Sequence, residues 1–390
     1  MTCPMTVAPY RCLGVSSDCM PVDARVELAP DPASGLISAN LTPEWESKVK
    51  HIYENYAIYT QAAGAEQLVF DQRSGAGASR SSQIVERALV PHVRAPRGRC
   101  LDIGCGNGAL LRAFAARFPG WSLEGTEFDA KNLPTLEKIP GFAQLHTSKP
   151  LDQLPRGYDL VSLVHVLEHL TDPLSWLRQV RELLSDGGLM LIELPYFVEN
   201  PFELAIYDRC THFTQASLRR LVQAAGFDVL HLGSDLVPKE ITLVARPAAR
   251  KSGAGPTASI AELEIEARRL QLAATWLDET LALALASVER WSAAKQPAFL
   301  FGSSIAATLI HTHGGGKFAS FIDEDKNRQG SKHLGVPIVG FAQVPESAGV
   351  FVGLTPAIAA GIRQRALPRS QGWIVPQAFP EGLLESPGAR

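Results

Sequence analysis

Residues 99–118 constrain the fold more than any other part of the chain. The apolar run RCLDI passes straight into Gly104-Cys105-Gly106-Asn107-Gly108 and then into the helical pattern ALLRAFAARF. Glycines at such a bend let the backbone approach a ligand, and the helix that follows offers unpaired N–H groups. The pattern D-x-G-x-G-x-G, with Asp102 ahead of the first glycine, is not the dinucleotide G-x-G-x-x-G, so a pyrophosphate is not required. Glu127, 19 residues beyond Gly108, closes the next strand, SLEGTE. An acid at that strand end can accept both hydroxyls of a ribose, which suits a nucleoside.

The same alternation continues on both sides of this unit. Strands are expected at 99–103, 122–126, 159–164, 189–194, 227–233 and 240–246, with helices at 109–118, 173–184 and 215–225. Strands alternating with amphipathic helices mean a parallel sheet covered by helices. The chain has 390 residues, enough for two or three domains. Residues 1–79 read as a loop-rich accessory region with a helix near 43–59. Residues 80–247 form the first α/β domain. Residues 248–296 hold a Pro/Gly/Ala-rich linker and one long helix, whose apolar residues recur at spacings of three and four. After Pro297 a second strand–turn–helix (AFLFGSSIAATLIHTH) opens a smaller α/β domain, 297–390.

Composition removes several classes of partner. Hydrophobic residues are 46% and charged residues 20% of the chain, and 37 basic against 40 acidic residues leave a net charge of −3. No basic stripe suits a phosphate backbone, so no nucleic-acid partner is expected, and no run suits a bilayer. Six cysteines are too sparse for a disulfide scaffold. The N-terminus lacks the charged and apolar regions of a secretion signal, and a reducing cytoplasm is expected.

The segments CLDIGCGNG, the GTE ending, DLVSLVHVLEHLTDP and LLSDGGLMLIELP closely resemble the class I S-adenosylmethionine (SAM)-dependent methyltransferases. The resemblance covers about residues 81–247. It implies a Rossmann-like α/β core of seven mostly parallel strands, with SAM across their carboxyl ends. By position, Gly104, Gly106 and Gly108 would pass beneath the methionine part, Asp102 would anchor that end, and Glu127 would hold the ribose. Cys105 in the turn, Phe128 after Glu127 and His165 beside the methionine moiety complete the cofactor set. The loop LHTSKPLDQL lacks the acid that many members direct at adenine, leaving Ser148 or Asp152.

Methyl transfer needs orientation and a base. Candidate bases are His165, Glu168 and His169 in HVLEH, and His212 in YDRCTHFT, with His212 the first choice. Glu168 and Asp172 also read as caps of the helix PLSWLRQVREL. The long excursion YFVENPFELAIYDRC reads as a lid over the acceptor. The order of N-terminal Cys-containing region, methyltransferase core, long helix and C-terminal Rossmann-like domain is similar to the nucleotide-sugar C-methyltransferases. That similarity implies a sugar or sugar-like natural-product acceptor, free or nucleotide-linked, and a tyrosine from YENYAIY, leaving Tyr53, Tyr56 or Tyr59. Tyr59 joins His212 and His169 in the catalytic set. The family's catalytic Glu-His pair matches Thr211-His212, so the acid is missing and transfer to O or N stays close to transfer to C.

No metal is expected. Relatives carry two Cys pairs for zinc, whereas Cys3, Cys12 and Cys19 lack a fourth partner and a close C-x-x-C spacing. In the last domain, FGSSIAA and FIDED keep one of three fingerprint glycines, so a vestigial nucleotide fold is expected in place of bound NAD. His311, His313 and Gly314 to Gly316 read as a loop tip. The readings from other classes are a SAM-binding protein without transferase activity and a nucleotide-sugar oxidoreductase. Oligomeric state is not specified by these patterns.

Overall fold

The computed structural model describes residues 9–54, 68–70, 77–249, 255–366 and 372–384. The N-terminal region folds as β1 (Tyr10–Val15), β2 (Pro21–Pro30) and β3 (Ile37–Ala39), followed by α1 (Pro43–Glu54). Short strands β4 (Leu68–Phe70) and β5 (Gly77–Ser79) pair with each other and lead into α2 (Arg80–Ile84). The accessory region is therefore a sheet, where the sequence suggested loops. The first half of β2 alternates between exposed and half-buried positions, and the β1–β2 register shifts at Leu13/Gly14, so the period-2 signal is diluted.

The central unit runs β6 (Arg99–Ile103), α3 (Ala109–Arg117), β7 (Ser122–Glu127), α4 (Leu133–Leu136), β8 (Phe142–Thr147), β9 (Tyr158–Val164), α5 (Pro173–Leu183) and β10 (Leu184–Pro195). After an excursion containing β11 (Thr211–His212) it continues as α6 (Gln215–Ala224), β12 (Phe227–Gly233) and β13 (Glu240–Pro247). Seven strands lie in the order β12-β13-β10-β9-β6-β7-β8, all parallel except β13, which runs antiparallel to both neighbours. Central strands such as YDLVSLV are apolar on both faces because helices cover both. Pro173 opens α5 and the Asp172 carboxylate accepts the Ser175 N–H at 3.0 Å, so Asp172 caps this helix while Glu168 does not.

The excursion after β10 is a plug. Apart from the half-buried Glu199 and Asn200, residues 196–214 are buried. β11 pairs with β3, closing the N-terminal sheet in the order β1-β2-β3-β11, and the Trp45 indole N–H donates to the Tyr207 carbonyl at 2.9 Å. A segment so apolar (Phe197, Phe202, Leu204, Ile206, Phe213) is core between sheets, which corrects the reading of a lid.

Helix α7 (Ile260–Ala293) starts with a reciprocal Ser259/Glu262 cap and runs for 34 residues, about 50 Å. The last domain comprises β14 (Ala298–Phe301), α8 (Ile305–His313), β15 (Ser320–Ile322), β16 (Lys332–His333), β17 (Val336–Val339), β18 (Gly349–Val352), α9 (Pro356–Ala366) and β19 (Trp373–Ile374). Its sheet order is β16-β17-β15-β14-β18-β19, parallel except for β16. One apolar cluster runs unbroken from Val15 and Trp45 through Leu163 and Ile192 to Trp276 and Phe351. Among the described residues no helix is long and apolar enough to cross a membrane.

Candidate functional site

At the carboxyl end of β6 the backbone turns with positive φ at Gly104 (+68°), Gly106 (+53°) and Gly108 (+78°). A Cβ on Gly104 would lie 2.7 Å from Val166, and one on Gly108 would lie 2.6 Å from both Leu136 and Ile139. Side chains are excluded there, and the Gly104 backbone is left bare at the cleft. Glu127, half-buried at the end of β7, accepts the Gly106 N–H at 2.5 Å and the Phe128 N–H at 3.2 Å. One half-buried carboxylate thus ties the glycine turn to the end of β7. The Phe128 ring is 78% exposed and stacks on Tyr53 of α1, with centroids 6.1 Å apart and planes at 25°.

Asp102 and Cys105 lie beneath the turn. The Asp102 carboxyl is 3% exposed and accepts the Ser162 hydroxyl at 2.7 Å; burial lifts it to about 7, against the hydroxyl and with help from the Glu127 charge. The Cys105 thiol packs over Gly125, where a Cβ would come within 2.5 Å of the sulfur. Burial raises that thiol, so it serves as filling. Ser148, at φ +50°, donates to the Phe128 carbonyl at 2.7 Å, and Asp152 is exposed.

A second cluster follows β9. His165 holds a left-handed backbone (φ +55°) and its N–H donates to the Glu193 carbonyl at 2.8 Å. Its Nδ1 lies 3.3 Å from Glu168, and its Nε2 lies 2.7 Å from the Arg80 guanidinium. Glu168 is 2% exposed; burial alone would raise it, but the hydrogen bond from His165 and the charge of His169 bring it down to about 2. His169 Nδ1 lies 2.9 Å from the Asp208 carbonyl and 3.1 Å from the Tyr53 hydroxyl. A carbonyl oxygen only accepts, so Nδ1 carries a proton; in the neutral ring the lone pair is then on Nε2, 4.0 Å from Glu168. The Asp208 carboxylate, 3.6 Å from the same nitrogen, is fixed by the Ser17 N–H at 2.8 Å and hydroxyl at 2.5 Å.

His212 is buried beside the Glu168–His169 cluster. It is 4% exposed on β11, edge-on to Phe197, with no hydrogen-bond partner for Nε2. Burial, reinforced by Arg209, lowers it to about 3, which disfavours its charged form. Its burial and lowered basicity favour His169 over it as the base. Tyr56 and Tyr59 lie outside the described residues, whereas Tyr53 stands between His169 and Phe128.

Arg80, Glu193, Asp208 and Glu240 had not been singled out from the sequence. Only Glu193 left a visible signal, a lone acid inside the apolar strand LIELP. Among the described residues no group of three His, Cys, Asp or Glu is placed to hold a metal. In the last domain, the strand-end Asp323 accepts the Ser303 hydroxyl at 2.5 Å and a guanidinium N–H of Arg328 at 3.3 Å. The carboxylate a dinucleotide ribose would use is thus engaged internally. His311 and His313 lie in the last turn of α8, and only the glycines after them form the tip.

Residues 77–232 match the family model described as a methyltransferase domain. The ubiquinone biosynthesis O-methyltransferase of Cereibacter sphaeroides (strain KD131 / KCTC 12085) is 30% identical over 150 residues, 33% of this chain and 60% of that protein. The enzyme of the same name from Xanthomonas campestris pv. campestris (strain B100) is 30% identical over 130 residues, 30% of this chain and 52% of that protein. The chain thus spans 52 to 60% of the length of these relatives. Among solved structures, the pyocyanin biosynthetic protein PhzM is 18% identical with a TM-score of 0.37, covering 43% of this chain and 54% of that one, too slight a likeness to bear on chemistry. The exposed Gly104 backbone, in a positive-φ turn beside a strand-end carboxylate, suits the nucleoside and amino-acid ends of S-adenosylmethionine, and the match to a methyltransferase domain falls on the residues that build this turn.

Proposed function

We propose that the chain transfers a methyl group from SAM to a hydroxyl of a small-molecule acceptor, with His169 as the general base. The observation that carries this reading is the orientation of His169, whose Nδ1–H is tied to the Asp208 carbonyl while Nε2 keeps its lone pair. That ring is 19% exposed and lies edge-on to Tyr53, with 6.3 Å between ring centroids. Bound against the glycine turn and Glu127, SAM supplies an electrophilic methyl on a sulfonium. Tyr53 and Phe128 wall the crevice, and His169 Nε2 takes the acceptor's proton as the new bond to the methyl carbon forms.

Transfer to oxygen is favoured by the matched relatives, both named O-methyltransferases. A sugar acceptor, nucleotide-linked or free, is favoured by the four-part order of the chain. The same order supports a second reading, transfer to carbon beside a keto group. Incubation with ¹³C-methyl-labelled SAM and a panel of nucleotide-linked sugars, keto sugars and phenols tests both, because carbon NMR separates O-methyl from C-methyl products. Replacement His169→Gln is expected to lower kcat by about 10²- to 10⁴-fold with SAM affinity retained. Full turnover in that variant would remove His169 as the base.

A further inference from the structure

Three charged groups meet at His165 from parts of the chain far apart in sequence. Arg80 reaches it from α2, Glu168 from the turn after β9, and Glu240 from the start of β13. Arg80 Nη1 lies 2.7 Å from His165 Nε2. A guanidinium has donors only, so the Nε2 lone pair is occupied and the imidazole proton must sit on Nδ1. On that side Glu168 stands at 3.3 Å, held as a carboxylate, and completes the arrangement. The Arg80 side chain is 12% exposed and lies 3.9 Å from Glu193 and 3.7 Å from Glu240, which oppose its charge. The left-handed backbone of His165, uncommon for a residue with a Cβ, keeps the ring over this position.

We propose that Arg80 is a positioning residue: by taking the Nε2 lone pair of His165 it fixes that ring as the Nδ1–H tautomer and leaves His169 as the one proton-accepting histidine at the cleft. The inference rests on the reading of His169 as base for its kinetic consequence, but not for its structural content. Both histidines face Glu168, and both stand at the carboxyl end of β9. Without Arg80, His165 Nε2 would be free to bind a proton, 3.7 Å from Glu240 and with Glu193 beyond. Among the described residues, Lys239, lowered chiefly by burial, is a further cationic side chain beside Glu240 and Arg80, and Arg209 acts on Glu168.

The test begins with the unmodified full chain. Long-range ¹H–¹⁵N NMR of ¹⁵N-histidine-labelled protein should show His165 with Nδ1 protonated and Nε2 bare between pH 6 and 8; a protonated Nε2 would overturn the proposal. With an accepted acceptor, Arg80→Met should lower kcat by roughly 10- to 100-fold, the loss of one charge-assisted hydrogen bond. The acid limb of its pH–rate profile should change from a one-proton to a two-proton dependence, while Arg80→Lys, which keeps a donor, should restore the one-proton limb. A merely structural arginine would lower the melting temperature in both variants and leave the slope unchanged, and that result also sinks the proposal. Should no acceptor be turned over, the methyl-transfer reading fails while the tautomer measurement still decides the role of Arg80.

Discussion

At the residue scale, burial decides what each titratable group does. Glu127 and Asp102 flank one glycine turn, yet Glu127 is half-buried while Asp102 is 3% exposed and bonded to Ser162. If Glu127 holds the ribose as proposed, Glu127→Ala should weaken SAM binding by about 100-fold in calorimetry, the loss of two charge-assisted hydrogen bonds. Folding should persist, since the substitution removes only the Gly106 and Phe128 N–H contacts of a half-buried side chain; unchanged affinity would remove Glu127 from the ribose. His212 makes a different prediction. Its folded pKa of about 3 lies below the ordinary 6.5, so between these values the unfolded chain binds a proton that the folded chain does not. Stability from this group is complete above pH 6.5 and is lost as pH falls toward 3. Glu168 acts in the same direction from 4.5 down to about 2, and Asp102, raised from 3.8 to about 7, acts oppositely as pH rises through that range. His212→Phe, packed against Phe197, should shrink the drop in unfolding free energy between pH 7 and 4.5 by on the order of 2 kcal/mol, read from urea titrations; an unaltered drop would show that another group carries it. Glu127 and the glycines were legible because their signal is local spacing. Arg80, Asp208 and Ser17 were not, because only tertiary structure brings them to the histidines.

At the element scale, legibility followed the strength of the hydrophobic period. The central parallel strands and α5 were placed to within a residue or two at most ends, apart from the early start of β10, because two-sided burial makes runs such as CLDI and DLVSLV unmistakable. The edge strand β8 (Phe142–Thr147), only partly buried, was not placed, and its end was read as loop. The half-exposed N-terminal strands were not legible, and the buried excursion was misread because length and aromatic content describe a lid and a plug equally well. Helix α7 shows what its apolar stripe is for. Trp276 is 1% exposed, packs edge-on to Phe202 of the plug (5.4 Å) and to Phe379 of the last domain (5.0 Å), and donates its N–H to the Gln377 carbonyl at 2.9 Å. Trp276→Ala should cost about 3 to 5 kcal/mol of unfolding free energy, measured in guanidinium, since it opens a cavity and strands a carbonyl. A loss below 1 kcal/mol would mean that the helix does not clamp the two sides together.

At the scale of the whole molecule, the division into four consecutive pieces describes the sequence better than the packing. The N-terminal sheet is closed by β11 from the methyltransferase unit, and the Tyr10 hydroxyl donates to Asp278 of α7 at 3.0 Å. The Thr308 hydroxyl of the last domain donates to the Cys19 carbonyl at 2.9 Å, and Gly349 lies so close under the Trp291 ring that a Cβ would sit 2.1 Å from it. Boundaries were drawn at linkers, which composition reveals, whereas the apolar cluster crosses all of them. Cooperativity should follow the cluster. The six tryptophans fall in every region (45, 121, 176, 276, 291 and 373), so their fluorescence reports on each. The intact chain is expected to unfold in one transition, with fluorescence and far-UV circular dichroism coincident in denaturant. Removal of residues 297–390 uncovers one face of α7, including Trp276 and Trp291. The truncated chain should then unfold at a markedly lower denaturant concentration and bind SAM more weakly, although the glycine turn and Glu127 lie outside the deleted part. An unchanged midpoint together with full SAM affinity would show that the methyltransferase unit stands alone and that the shared core is incidental to the site.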